Sequence, residues 1–247
     1  MSKTVSKFAL AASVSFAMAF TFSCSPPDDG GGNPSSSSGG GGGYTGSYGS
    51  ITYEGQTYKT VKIGEQTWLA ENLNYVAKGS KCYGEVQANC NKYGRLYDWS
   101  TAMDLPSNCN KSECSDQIQS NHQGICLSGW HIPSNEDWDK LYRYADGTSD
   151  TRRSTAGRYL KATSGWDYNG NGTDEFGFSA LPGGSGYADD SGTFYDGGYA
   201  GYWWSASETT DETAYLRGIF CCEDDGSDAG WKPNRKSALY SVRCLQD

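Results

Sequence analysis

Between residues 51 and 245 the apolar positions fall in short runs separated by polar, glycine-rich stretches. Residues 51–53 and 58–63 flank Glu54 and Gly55, a turn signal between two apolar runs, and predict a hairpin. Gly64 and Glu65 mark a second turn leading into 67–72. Within 93–104, Leu96, Trp99 or Ser100, and Met103 recur at helical spacing and predict a short helix. Residues 108–124 are polar and turn-rich, as a surface loop would be. The clearest helix start lies in 126–141. Ile132 and Pro133 close an extended segment there, because the residue before a proline is pushed away from helical dihedrals. Ser134 stands at the N-cap with Asp137 three residues on, a capping box with Asp in place of the usual Glu. Trp138, Leu141 and Tyr142 then share one face, predicting a helix from Asn135 to about Ala145. Residues 156–163 predict another helical turn or two. Beyond them 176–181, 202–207, 214–220 and 239–245 read as strands, with Tyr240, Val242 and Cys244 alternating on one face of the last.

Composition changes the picture of the core. Leu, Ile and Val are sparse, whereas the chain holds 33 Gly, 18 Tyr and 8 Trp. Aromatic rings must supply much of the buried bulk, which suits loop-rich α+β or all-β structure better than a helical bundle. A net charge of −9 argues against a nucleic-acid surface and against adhesion to anionic lipid.

The N-terminus carries different information. Lys3 and Lys7 precede an apolar run over 8–22, of signal-peptide length and too short to span a membrane comfortably. Residues 1–23 are read as a signal peptide. Ser23–Cys24 resembles a bacterial lipoprotein processing site, with Thr21 where the third residue before the cysteine is usually Leu. Cys24 is then the lipid attachment residue, and removing it from the nine cysteines leaves an even number, as an oxidised exported domain requires. Residues 24–49 form a Gly/Ser-rich flexible tether, and 50–247 the folded domain. Asp28 and Asp29 resemble sorting signals of some outer-membrane lipoproteins.

Six blocks carry a family resemblance: TYKTVKIGEQTWLAENLNY (57–75), CYGEVQANCNKYGRLYDW (82–99), HQGICLSGWHIPSNEDW (122–138), GTDEFGFSALPGG (172–184), YWWSASE (202–208) and SVRCL (241–245). In this order they resemble the Fibrobacter succinogenes major paralogous domain, found in exported, often lipid-anchored bacterial proteins. More distantly, WHIPSNEDW and the terminal SVRC are similar to blocks of formylglycine-generating-enzyme-like domains, which have a C-type-lectin-like fold. The resemblance implies an α+β domain: a mixed, twisted antiparallel sheet, one or two helices, long Gly-rich loops, disulfide staples, and first and last strands paired.

Candidate chemistry follows from the cysteines, acids and aromatics. Cys82 and Cys90 bracket a short turn-like segment and suit a local disulfide. Cys126, before the central strand, and Cys244, on the last, suit a long-range one. Cys109, Cys114, Cys221 and Cys222 admit two pairings. Adjacent Cα atoms are only about 3.8 Å apart, below the usual disulfide range, so a Cys221–Cys222 bridge is strained, and crossing the two pairs avoids the strain. The family resemblance implies Cys109–Cys114, leaving Cys221 and Cys222 strained or reduced. Formylglycine-generating enzymes use a C-terminal cysteine pair, but those two are adjacent rather than spaced. His122 and His131 both lie in the structural block, and no catalytic residue is assigned.

Asp167, Asn169 and Asn171 with Gly172 match the start of an EF-hand-type loop, which Asp174 would help complete around calcium. Phe178 stands where the bidentate Glu should be, so a full EF-hand is excluded. The alternative is a turn held by its own side chains. Tyr195, Tyr199, Trp203 and Trp204, interleaved with Gly and Asp, are candidate ligand contacts, since flat rings beside polar groups suit a sugar face. One of the two tryptophans should be core, because adjacent strand residues point to opposite faces.

The resulting expectation is a non-enzymatic binding module on the outer membrane or cell surface, held by a lipid anchor and contacting polysaccharide or an envelope protein. The alternatives are an enzyme of the formylglycine-generating type and a purely structural envelope protein. The anchor is directly testable. Palmitate labelling of cells expressing the chain should mark the natural protein and leave Cys24→Ser unlabelled; equal labelling of both would overturn the lipoprotein reading.

Overall fold

The computed structural model describes residues 43–188, 192–222 and 228–247. The signal segment 1–23, Cys24 and the tether up to residue 42 lie outside the described residues. Packed structure begins ahead of residue 50. Tyr44 and Tyr48 meet edge to face at 5.0 Å and lie against one of the cores.

The described chain is mostly β. Its strands are β1 (Gly49–Tyr53), β2 (Gln56–Ile63), β3 (Gln66–Leu69), β4 (Trp130–His131), β5 (Gly183–Tyr187), β6 (Phe194–Gly197), β7 (Ala200–Glu208), β8 (Thr213–Phe220), β9 (Ala229–Arg235), β10 (Ala238–Leu239) and β11 (Leu245–Gln246). Its α-helices are α1 (Gln87–Tyr93), α2 (Trp99–Ala102), α3 (Asn135–Asp146) and α4 (Ala156–Leu160). Two sheets form where one was expected. The first runs β1-β2-β3-β11-β4; the second runs β10-β5-β7-β8-β9, with β6 on β5. The β5–β7 pairing is parallel, which makes the second sheet mixed.

Local chemistry explains the firmest elements. Glu54 and Gly55 both take positive φ (48° and 77°), the backbone of a type I′ hairpin turn, and set Tyr53 opposite Gln56. Helix α3 starts on a capping box: the Ser134 hydroxyl accepts from Asp137 N, and the Asp137 carboxylate accepts from Ser134 N. It ends at Gly147, which sits in the left-handed region at φ 72°, as a C-terminal glycine does. Trp138, Leu141, Tyr142 and Ala145 form its buried face.

Other expectations need correction. Residues 176–181 make no strand: Ser179 has φ 52°, incompatible with extended backbone, and only Ala180 forms a bridge, to Lys161. The expected strand over 239–245 breaks into β10 and β11, between which Tyr240 and Ser241 bridge to Tyr97 and Trp203. The expected helix over 93–104 shrinks to α2, whose start is fixed by Asp98 Oδ1 accepting from Thr101 N at 2.9 Å. Gly94 precedes it at φ 76° and Asp104 follows at φ 51°, which bounds it on both sides.

The second sheet separates two cores. Trp203 and Trp204 are both fully buried, but in opposite clusters, Trp204 with Tyr97 and Tyr240 and Trp203 with Trp68, Trp138 and Phe178. Trp204 meets Tyr240 at 4.6 Å and Trp203 meets Trp138 at 5.9 Å. Their rings point to opposite faces as expected, yet each face is covered, so neither is available as a ligand contact.

Buried ion pairs tie loops to this frame. Arg217 on β8 reaches Asp139 on α3 at 2.7 Å. Lys161 reaches Asp228 at 3.2 Å. Lys236 bonds Glu208 and the carbonyls of Cys109 and Asp211, each at 2.9 Å. Disulfides join Cys82 to Cys90, Cys109 to Cys114, and Cys126 to Cys244. Cys221 is joined to Cys222.

The chain end closes the first sheet. Leu245 lies opposite both Trp68 on β3 and His131 on β4. His131 is buried, with Nδ1 2.8 Å from Asp247 and Nε2 3.6 Å from Asp137. Burial disfavours its imidazolium, but these two carboxylates outweigh that and hold it above its ordinary 6.5. Burial would also raise Asp137, yet His131 and Ser134 bring it down to about 2 from 3.8.

Two outcomes are expected. Protonated His131 stabilises the fold below its unfolded value of 6.5, and that contribution fades as pH rises through the raised value. Asp137 contributes above 3.8, and its share is lost as pH falls toward 2. Thermal melts should therefore peak between about pH 4 and 6.5, and His131→Gln should flatten the alkaline limb. Separately, the Cys126–Cys244 bridge spans 118 positions. Removing it with a double alanine substitution should cost about 4–5 kcal/mol in urea unfolding by loop entropy.

Candidate functional site

A cleft of about 180 Å³ opens between β2, the chain following β3, and α1. Its walls carry Asn74, Asn91, Glu71 and Tyr93, with Lys59 and Lys92 at the sides and Asn72, Ser179 and Arg243 deeper. Gly94 makes the wall narrow. It sits at φ 76°, and a Cβ there would lie 2.8 Å from both Asn72 Cβ and the Leu73 carbonyl oxygen. No other residue could end α1 so close to this segment.

Asn72 organises the floor. Its Oδ1 accepts from Trp203 Nε1 at 2.8 Å and from Arg243 Nε and Nη2 at 3.0 and 2.7 Å. Its Nδ2 donates to the Tyr93 carbonyl at 2.8 Å and to Ser241 Oγ at 3.3 Å. Arg243 also donates to the Phe178 carbonyl, and its guanidinium lies over the Phe178 ring at 4.2 Å. Burial pulls Arg243 down to about 9, against the opposing charges of Asp174 and Glu71. The guanidinium stays charged at neutral pH. Asn74 Oδ1 is buried and accepts no hydrogen bond from the protein.

A wider, shallower cleft of about 510 Å³ lies between the 115–122 loop, the start of α3 and the end of β7. Both histidines line it, but internal bonds occupy its ionisable groups. His122 Nε2 donates to the Met103 carbonyl at 2.7 Å, and its Nδ1 accepts from Gln119 N at 3.2 Å. His131 Nδ1 is held by Asp247, and its Nε2, 3.6 Å from Asp137, is buried without a hydrogen-bond partner in the protein. Glu208 is engaged by Lys236 and by Cys114 N. Among the described residues neither histidine hydrogen-bonds a serine hydroxyl or a thiol.

The other candidate residues are dispersed. The Asp174 carboxylate accepts from Ser179 N at 2.7 Å and Ser179 Oγ at 2.6 Å, and burial raises its pKa. Asn171 Oδ1 accepts from Trp166 N at 3.0 Å. Asp167 packs against Gly198 and accepts from Gly170 N through its carbonyl. Tyr168 and Asn169 take left-handed φ of 53° and 57°, so the segment is a turn held by its own bonds. Among the described residues no group of three or more His, Cys, Asp or Glu side chains could hold a metal ion. Tyr195 is 47% exposed and meets Tyr187 edge-on at 5.8 Å. Tyr199 is half-buried, donating its hydroxyl to the Cys222 carbonyl at 2.9 Å.

Sequence reasoning missed Asn72, Asn74 and Arg243. Each lies inside a block quoted above, but nothing in its spacing marks it. Alternation along 239–245 puts Ser241 and Arg243 on the face opposite Val242 and Cys244, which reads as solvent-facing when only one face is taken as core.

No curated protein and no solved structure matches the chain. A family model described as the Fibrobacter succinogenes major domain matches residues 61–246, from the middle of β2 to the final strand. The match takes in Asn72, Asn74, Arg243 and the residues of all four disulfides, and the chain belongs to the Fibrobacter succinogenes major domain family.

Proposed function

We propose that the domain is a non-enzymatic saccharide-binding module with a C-type-lectin-like fold, carried on the outer membrane or cell surface by a lipid at Cys24 and the tether that follows it. The observation that carries this reading is the Asn72–Asn74 cleft. Its lining is amide, carboxylate, hydroxyl and ammonium beside one tyrosine ring, the mixture that takes sugar hydroxyls while a ring covers an apolar sugar face. Asn74 Oδ1 has no donor within the protein. A buried acceptor left unmade is costly, and a ligand hydroxyl would satisfy it.

A second feature supports an extended ligand. The Cys82–Cys90 loop holds Tyr83, whose hydroxyl accepts from Gly197 N on β6 at 3.1 Å, and continues through α1 to Tyr93 at the cleft. One disulfide-closed element thus braces both the cleft and the hairpin bearing the exposed Tyr187 and Tyr195. The thiol-enzyme alternative has less support, because every described cysteine is in a disulfide.

The test is retention of the purified protein on insoluble cellulose, xylan and mannan. At least one should retain it, and Asn74→Ala should weaken that binding by roughly fivefold, the worth of one neutral hydrogen bond. Uniform failure to bind would overturn the proposal and leave the structural envelope reading.

A further inference from the structure

The structure holds four buried cationic side chains among its described residues: Lys161, Arg217, Lys236 and Arg243. Three have a carboxylate within ion-pair distance, Asp228, Asp139 and Glu208 respectively. Arg243 has none. Its hydrogen-bond partners are the Asn72 amide and the Phe178 carbonyl, both neutral. Arg243 also lines the cleft beside Asn72.

The walls repeat the pattern. Lys59 and Lys92 are exposed, line the same cleft, and form no ion pair with a described residue. Each ammonium lies near a tyrosine face instead, at 5.3 Å from Tyr48 and 4.7 Å from Tyr93. The carboxylates nearby are already engaged. Glu71 accepts from the backbone N–H of Lys59 at 2.8 Å, and Asp174 is held by Ser179. Three cations thus surround a cleft with one carboxylate in its lining, in a chain of net charge −9.

We propose that this cleft takes a saccharide bearing a carboxylate, such as a uronic acid unit of an acidic polysaccharide; the inference rests on the saccharide reading above. The carboxylate lies between Lys59 and Lys92, and Arg243 supplies charge from the floor, where low polarisability strengthens its field. A hydroxyl of the same sugar donates to Asn74 Oδ1. Both unmet demands, one for negative charge and one for a hydrogen-bond donor, are met by a single hydroxylated acid. A simple inorganic anion meets only the first.

The experiment measures binding of the purified protein to galacturonate and glucuronate oligomers, to the corresponding neutral galactose and glucose oligomers, and to acetate. The acidic oligomer should bind about tenfold more tightly than its neutral counterpart, as a charge-assisted contact predicts, and added salt should narrow that gap. Lys59→Gln and Lys92→Gln should remove the preference, bringing acidic-oligomer affinity down to that of the neutral counterpart, while leaving the melting temperature unchanged. These exposed positions are used because Arg243→Gln risks the fold itself. Equal affinity for acidic and neutral oligomers overturns the inference and leaves saccharide binding standing. Acetate binding as tightly as the uronate oligomer also overturns it, since the sugar hydroxyls would then contribute nothing. Binding of none of these overturns both readings.

Discussion

The fold turns on one amide. Asn72 is where the first sheet, the second sheet and α1 meet, and its side chain bonds all three: Trp203 on β7, Arg243 just before β11, and the Tyr93 carbonyl at the end of α1. Two of these partners, Trp203 Nε1 and the Arg243 guanidinium, are buried polar groups that the amide oxygen satisfies. An unpaired buried donor costs about 1–3 kcal/mol, more when charged, so losing this one side chain would strand several at once. No other residue type fits the set. Aspartate would neutralise Arg243 but could not donate to Tyr93 O and Ser241, and a smaller residue would reach neither side. Asparagine satisfies the geometry and gives the arginine neutral hydrogen-bond partners.

That junction exists because β7 is buried on both faces. A strand with one solvated face needs apolar residues only at alternate positions, but β7 reads AGYWWSASE and stays buried from Ala200 to Ser205, and at Ala206. Two cores flank it, one gathered by Trp204 and Tyr240, the other by Trp203, Trp138, Trp68 and Phe178. With few aliphatic side chains available, indoles fill both, and most of these indole N–H groups find an acceptor, Trp138 Nε1 being an exception. Trp204 Nε1 donates to the Tyr97 carbonyl and Trp99 Nε1 to the Ser205 carbonyl, at 2.8 and 3.0 Å. A tryptophan-rich core therefore brings its own polar network, and Asn72 is one node of it.

This accounts for what could be read from the sequence. The β1–β2 hairpin and α3 were legible because their determinants are local: two residues of a I′ turn, and the Ser134–Asp137 capping box. Helix α1 was not, since QANCNKY has no apolar stripe and a single buried residue, Cys90; its place depends on the Cys82–Cys90 bridge and on Gly94 against Asn72. Strand β9 was not, because Lys232, Pro233, Asn234 and Arg235 look like loop. Its proline is tolerated because β9 lies at the edge of its sheet, where one side of the backbone needs no partner. The candidate site failed in a more systematic way. Exposed-looking aromatics were taken as contact surface and polar residues between apolar ones as solvated. In a strand covered on both faces the assignments exchange: Trp203 and Trp204 are core, and Arg243 is the buried group beside a cleft.

The same exchange separates architecture from recognition. The most recognisable stretch, around His131 and Asp137, is bound into itself. Its histidine bridges the chain end and the α3 cap, its acids are paired, and the wide cleft it borders offers a ligand few uncommitted groups. Beside Asn72 the situation is reversed. The protein leaves an acceptor without a donor at Asn74, and at Arg243 a buried cation whose hydrogen-bond partners are neutral, with the charges of Asp174 and Glu71 beyond ion-pair distance. Stability alone would favour closing these gaps, since three other buried cations here did acquire carboxylates. Unmet polar groups that persist on rigid elements at the wall of a cavity are preorganised for something that enters it, and their complementary needs define the chemistry of what can enter.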